Sequence, residues 1–598
     1  MFGIFSRPQI RRVVCLLLAL LAVSSFADLL RTGQDDVLIN HSIVSILLWW
    51  ACYQLLDRAC RCMNRRLLAI SLCVGLSCSL MMVLGANVMQ YETANLTALR
   101  TWRSVFCAWP LFGAACALLI DRLPAMKNWP CAWLEKTLAR MKDRTFFLVC
   151  WGLVFLSWLP GLLASYPGVY AYDCAYQLRD YLNGTVTTHH PIIHTAWLAA
   201  CVVELGGLLG SYEAGMCVYS LAQMLLFSAA FASILSFLRR MGTSAVMQLI
   251  CLILFMVLPT NAIFSFSGTK DVAFAAMMIW LLIPMLEAAR EPEKLKDKRF
   301  WQKTLAAAFG MMIFRNQGVY VFALAMLVGL ACMAKQRRRV LALLAAGLVL
   351  FGLYQGPVTT LSGVKRATGV QEMLSVPAMQ LSRVRKYYEA ELSPEDKAAI
   401  EAYIPDWKNY SSISCAIADP VKNTFNNDLF HENPLAFAKL WLRMGISQPA
   451  AYVDAFLRLT AGFWYPDMPY RDWPAYQPYF QYEYHQPETT PQLEQKTPAA
   501  LAWLHDLYLD LSLNNTDQKI PVLSLLTSSS LAAWILLLFI AWAVYKRKWR
   551  MLWPATLLFG LWLTLLLGPV VLMRYALPLI MAEPLLIGVM RTQSAGQE

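Results

Sequence analysis

Apolar runs of membrane-spanning length recur along most of the chain. A bilayer core of about 30 Å takes roughly 20 residues of α-helix. On that measure the pattern predicts spans near 13–30, 40–56, 67–88, 102–120, 147–164, 214–238, 244–264, 271–287, 318–334, 340–357, 522–545, 551–568 and 575–590. A shorter run, 304–314, stops at Arg315-Asn316-Gln317-Gly318 and predicts a broken helix with the segment that follows. Residues 191–211 are also apolar enough to cross. Counting 304–314 as a crossing gives an even total without 191–211, which is then expected to be re-entrant or interfacial. The alternative is that 191–211 spans and a weaker run does not. The first run has a basic start (Arg7, Arg11, Arg12) and a Ser25-Phe26-Ala27 site that a signal peptide would also show; it is read as an uncleaved first helix.

One sizeable polar segment, 358–521, interrupts the apolar pattern. It opens on a charged helical stretch, 372–403. Residues 434–463 follow, with Phe437, Leu440, Trp441, Met444, Tyr452, Phe456 and Leu457 at helical spacing, which predicts helices lying on a membrane surface. Residues 463–484 carry ten aromatics, among them Trp464, Tyr465, Tyr470, Trp473 and Tyr476. These suit stacking on sugar faces or anchoring at an interface.

Composition narrows the class. Of 598 residues, 58% are apolar and 15% charged, with mean hydropathy +0.47. Soluble domains carry about 25% charge, so a soluble multidomain enzyme, a fibre and a disordered chain are excluded. The net charge of +13 would suggest nucleic acid in a soluble protein. Here thirty of the fifty-one Lys and Arg fall in the connections of one side, seven in the short loops of the other, and fourteen in 358–521. By the positive-inside rule the thirty-residue side is cytoplasmic. The charge therefore sets topology and implies no nucleic-acid partner. Most of the sixteen cysteines lie in apolar runs and read as buried hydrophobes; only Cys415 falls in the polar segment, and Cys60 and Cys62 lack a second pair at zinc spacing.

The expected architecture is an all-α polytopic membrane protein of about 13–14 transmembrane helices. It divides into an N-terminal four-helix extension (1–145), a membrane core (146–357) with an outer loop at 165–194, an extracytoplasmic domain with amphipathic helices (358–521), and C-terminal helices with a short tail (522–598). The expected location is the cytoplasmic membrane, multi-pass, with both termini inside.

Against this apolar background the polar exceptions carry the chemistry. The loop after the 147–164 span holds Asp173, Gln177, Arg179, Asp180, His189, His190 and His194. Residues 170–182 are predicted as an amphipathic helix with Asp173, Gln177 and Asp180 on one face. His190 and His194 are four apart and, with Asp173 or Asp180, form a candidate divalent-metal set, although Pro191 lies between them; the alternative is that one histidine binds substrate and the others cap or pack. Lys270 and Asp271 open a span, where Thr269 can cap the helix and Asp271 suits its positive end. Arg315 and Arg574 sit between apolar runs, where an ionisable group is costly. Lys365 and Arg366 follow the 340–357 span. All of these map to the outer face. The cations suit a lipid-linked phosphate, and a carboxylate beside them suits deprotonation of an attacking hydroxyl.

These residues resemble the GT-C superfamily of polytopic membrane glycosyltransferases over roughly 147–590. The shared features are an acid in the outer loop after a span (Asp173), a His-Pro end of that loop (His190-Pro191), a second acid opening a later span (Asp271), and an Arg-Tyr-x-x-Pro pattern in the last spans (Arg574, Tyr575, Pro578). The wording YPG…YD…Q…HHP…HT, with GTKD and RNQG, is most similar to bacterial polytopic proteins without assigned function. The resemblance implies a GT-C-like core, a polyprenyl-phosphate-linked sugar donor, an envelope glycan, lipid or protein acceptor, and Asp173 as general base. The chain departs from the pattern in having Cys174, not a second acid, after Asp173, and in its four extra N-terminal spans. Two rival readings remain at this level: a transporter or flippase for an anionic lipid or glycan, motivated by the broken helix at 304–318, and a non-enzymatic envelope-assembly protein using 358–521.

Overall fold

The computed structural model describes residues 7–29, 42–123, 131–171, 173–411, 416–467, 489–514, 516, 520–526 and 528–592. Helices dominate. Among the described residues nine are long and apolar enough to cross a membrane, and a tenth arises if Ala245–Val257 and Pro259–Phe266, bent by 54° at Leu258, count as one. Pro259 explains the bend, since it removes a backbone donor and starts a new helix. The class is all-α, polytopic and membrane-like. Two short strands, Val169–Tyr170 and Ser267–Gly268, pair in parallel.

Side-chain ties show which helix ends lie together. Arg11 pairs with Asp57, Asn64 binds Tyr545 Oη, Arg66 reaches the Val544 carbonyl, Arg239 pairs with Asp143, and Arg240 pairs with Glu287. Residues 289–291, 547–551 and Thr592 line one cavity. The basic connections thus gather at one end of the bundle, together with the first and last described helices. The opposite end carries the 165–191 loop and the starts of Lys270–Arg290 and Met573–Thr592. Helices alternate between these ends.

Ile192–Leu209 does not alternate. Its start meets Tyr219 through His194, and its end packs Gly206 against Tyr212 and Gly215, so both ends rest on the first third of the Tyr212–Arg240 helix. Ser220, on that same third, donates to the carbonyl of Pro167 just past the Asp143–Ala164 helix. Ile192–Leu209 is therefore held at the site end despite its length, with a π-helical stretch at Ala200–Leu205. The short run at 304–314 is part of a longer helix, Lys298–Phe314, that reaches the site end by itself. The chain turns at 315–317, and Gly318–Cys332 runs back to the basic end, where Cys332 lines the cavity, so the two form a hairpin and not the expected broken helix.

The N-terminal helices share one apolar core with the later spans, with Leu67, Val83 and Val105 in the same cluster as Trp542 and Trp553. Residues 375–460 build a separate helical unit with its own core around Met379, Tyr403, Phe437 and Met444. This corrects the expectation for 434–463. The spaced apolar residues Phe437, Leu440, Met444 and Tyr452 face that core and not a membrane, because neighbouring helices supply a protein partner for the stripe. Trp464 and Tyr465 are likewise buried; Tyr470, Trp473 and Tyr476 lie outside the described residues.

Candidate functional site

Two close backbone approaches bring distant segments together. Gly168, at φ +109°, takes a left-handed turn after the Asp143–Ala164 helix; a Cβ there would lie 2.2 Å from Ser220 Oγ and 2.9 Å from the Phe266 carbonyl. Glycine is the residue this position admits. At Gly268 a Cβ would meet Cys174 Sγ at 2.6 Å. The paired strands thus set the start of the Cys174–Leu182 helix against the start of Lys270–Arg290. Asp173 is the N-cap position of the first helix, and Lys270 and Asp271 are the first residues of the second.

The amphipathic helix expected over 170–182 is accordingly shorter. Residues 169–170 are strand, and the helix begins at Cys174. Asp173 and Gln177 diverge as a result. Gln177 is buried and turned to His194, whereas Asp173 faces Lys270, whose Nζ lies 2.8 Å from Oδ2. Asp180 pairs with Arg179 at 3.0 Å.

Around Asp173 the structure assembles a chain of charges. Lys270 Nζ also lies 3.2 Å from His190 Nδ1. Arg574 is 3.6 Å from Asp173 and 3.5 Å from Asp271, so it bridges the two acids. Asp271, fully buried, also pairs with Arg315 at 3.1 Å and accepts from Thr269 Oγ1 at 3.1 Å. Thr269 in turn caps the helix. The Arg315 guanidinium sits 4.5 Å from the centre of the Tyr575 ring, and Arg574 donates to Tyr575 Oη at 3.1 Å. Lys270 and Asp271 come from one helix, Arg574 from another and Arg315 from the end of a third, yet they form one cluster with Asp173.

The electrostatics follow. About 31% of the Asp173 side chain is exposed. Partial burial pushes its pKa up, but the Lys270 ammonium and then Arg574 outweigh it and hold the carboxyl well below the usual range. Burial, then the Lys270 charge, pushes the His190 imidazole down to about 3. His190 is therefore neutral at pH 7. With Lys270 donating to Nδ1, its proton resides on Nε2. Three cations (Lys270, Arg315, Arg574) face two carboxylates (Asp173, Asp271), which leaves one positive charge in excess.

Gln177 and His194 belong to a different network. His194 is fully buried; its Nδ1 lies 2.7 Å from Gln177 Oε1 and its Nε2 2.8 Å from Tyr219 Oη. Tyr219 Oη also reaches Gln223 Oε1 at 2.8 Å, and Gln223 Nε2 donates to the carbonyls of Phe264, Ser265 and Ser267. This buried chain ties the helix behind Asp173 to the loop that precedes Lys270. Gln177 and His194, expected to meet substrate, are buried and bonded to protein partners. The proposed His190–His194 metal pair does not form. The helix starts only at Ile192, after Pro191, and both His194 nitrogens are engaged. Among the described residues no three His, Cys, Asp or Glu side chains converge at metal-binding distance.

Lys365 and Arg366 lie at the rim, both exposed. Residue 365 bridges Thr187 through backbone, Asn316 donates to the Thr188 carbonyl at 3.3 Å, and Arg366 donates to the Gln355 carbonyl at 3.3 Å. They frame the loop that presents His190 and stand outside the charge cluster. Tyr219 and Gln223 escaped the sequence reading. Their signal was present, two polar groups four apart within an apolar helix, hence on one face.

The fold and site together define a polytopic, membrane-type helical protein whose one end carries a buried acid–cation cluster. The chain belongs to a family of unknown function, DUF6020, whose profile matches residues 183–597. The match takes in His190, His194, Lys270, Asp271, Arg315, Lys365, Arg366 and Arg574, and begins after Asp173 and Gln177. No curated protein and no solved structure matches the chain.

Proposed function

We propose that the protein is a GT-C-type glycosyltransferase that moves a sugar from a polyprenyl-phosphate-linked donor to a cell-envelope acceptor. The basic end of the bundle faces the cytoplasm and the site end faces outward, as the distribution of Lys and Arg favours. The observation that carries the reading is the convergence of Asp173 with Lys270, Asp271, Arg315 and Arg574 at helix ends. The excess positive charge suits the donor phosphate. In the reaction an acceptor hydroxyl attacks the anomeric carbon, the carbon–oxygen bond to phosphate breaks, and the electron pair leaves on the phosphate, where the three cations stabilise it. Asp173 takes the hydroxyl proton.

A carboxylate held at low pKa by two cations is a weak base. Arrival of the donor phosphate resolves this. Lys270 and Arg574 turn part of their charge to the phosphate, and Asp173 regains basicity only in the loaded site. Asp271, paired to both arginines from a fully buried position, fixes their direction. The cluster's place at helix ends, not at mid-depth, favours transfer over alternating-access transport. The test is sugar transfer from polyprenyl-phosphate donors in membranes containing wild-type protein or Asp173→Asn. Transfer should be lost in the variant at unchanged protein level. Full activity would remove Asp173 from the mechanism.

A further inference from the structure

The basic end holds a cavity of about 700 Å³, far from Asp173, lined by Arg290, Arg547, Lys548, Trp549 and Arg550 with Glu291 at its edge. Several cations at this end pair with carboxylates. Arg240 and Lys294 share Glu287, Lys296 pairs with Glu293, and Arg61 and Arg11 share Asp57. Glu291 also pairs with Lys294. The cavity cations differ. Among the described residues Arg547, Lys548, Arg550 and Arg290 make no ion pair, and Arg290 Nη1 lies 2.6 Å from the Met241 thioether.

The backbone adds a second observation. The helix Ser529–Tyr545 closes with Lys548 N–H on the Ala543 carbonyl and Arg547 N–H on the Val544 carbonyl. Arg547 takes φ +55° there, the position where glycine is the common choice. An arginine in this left-handed conformation is strained relative to glycine, and strain of this kind clusters at binding sites. Trp549, half exposed beside it, has the amphipathic ring found at membrane–water interfaces.

We propose that this cavity binds the phosphate of an anionic phospholipid head group from the leaflet at the basic end. The cavity lies between helix ends at the membrane surface, its uncompensated cations match a phosphodiester, and basic pockets between membrane helices at that level hold such head groups. The site is separate from the Asp173 cluster and does not depend on the proposed transferase activity.

The test uses full-length protein in nanodiscs of phosphatidylcholine, with phosphatidylglycerol titrated in and bound lipid read by native mass spectrometry. The variant Arg547→Gly/Lys548→Gln/Arg550→Gln keeps the backbone conformation and removes three cations. Phosphatidylglycerol affinity should fall by about 100-fold, at roughly fivefold per cation. Lys335→Gln/Arg338→Gln, at the same end but outside the cavity, should bind like wild type. Inorganic phosphate and glycerol phosphate, added to phosphatidylcholine discs, separate a soluble phosphate ligand from a lipid one. Saturable binding of these at similar affinity would overturn the lipid assignment. Equal phosphatidylglycerol binding by wild type and the triple variant, or equal losses in both variants, would overturn the site.

Discussion

At the scale of single residues, each costly group at the site end is held by a partner of opposite charge. Lys270 controls Asp173, because it is both the nearest cation and a hydrogen-bond donor to it. Folding depresses the Asp173 pKa, so the carboxylate persists as pH falls below the usual range and is lost only at its lowered value. Replacing Lys270 by Met removes most of that depression. The acid limb of the kcat/KM pH profile for sugar transfer should then move to higher pH, by more than one unit, with kcat also reduced. An unmoved limb would show that Lys270 does not set the ionisation of Asp173. Arg574→Lys keeps the charge but loses the fork that spans Asp173 and Asp271. Donor KM should rise at least tenfold, and a KM within twofold of wild type would contradict the bridging role. The residue types of this cluster were readable in the sequence because charge is rare in an apolar chain. Their pairing was not, since Asp173 and Arg574 are joined only through the fold.

At the scale of elements, the strand pair and the buried His194–Tyr219–Gln223 chain set the two acid-bearing helix starts against each other. Tyr219→Phe removes the hydroxyl shared by His194 and Gln223 and leaves buried partners unmatched. Such a loss costs about 1–3 kcal/mol. The midpoint of thermal unfolding in detergent should fall, and transfer should fall without a change in its pH profile. An unchanged midpoint would show the chain carries no stability. Most helix positions followed from apolar run length, but the expected broken helix at 304–318 is a hairpin, because Lys298–Phe314 starts six residues before the apolar run and crosses by itself. The 170–182 prediction failed at its start for a local reason. Gly168 and the pairing of 169–170 with 267–268 hold those residues extended, so the helix begins only at Cys174, and period alone does not report a partner strand. The Phe437–Met444 stripe was read as membrane-facing for a related reason. An apolar helical face shows that burial occurs, not against what.

At the scale of the whole molecule, the helical unit 375–460 is fastened to the N-terminal helices by charge. Asp454 accepts from the Ala94 backbone at 2.7 Å and pairs with Arg383 at 3.2 Å, while Arg383 also donates to the Glu92 carbonyl at 2.8 Å. All three contacts join segments far apart in sequence. Breaking a buried pair from one side costs about 3–5 kcal/mol. Asp454→Ala should therefore make 375–460 sensitive to limited proteolysis while the spans stay intact, and wild-type resistance would contradict that fastening role. Alternation of the helices and the gathering of basic connections at one end were legible from hydropathy and charge. The docking of 375–460 was not, because Asp454 and Arg383 are ordinary polar-segment residues until the fold buries them. The central claim is that the cations around Asp173 receive a lipid-linked phosphate. Its most direct test is a cryo-EM structure of the protein with polyprenyl phosphate bound. The account predicts the phosphate in contact with Lys270, Arg315 and Arg574, with Asp173 released from at least one of its two cations. A phosphate seated elsewhere, with the Asp173 pairs intact, would contradict it.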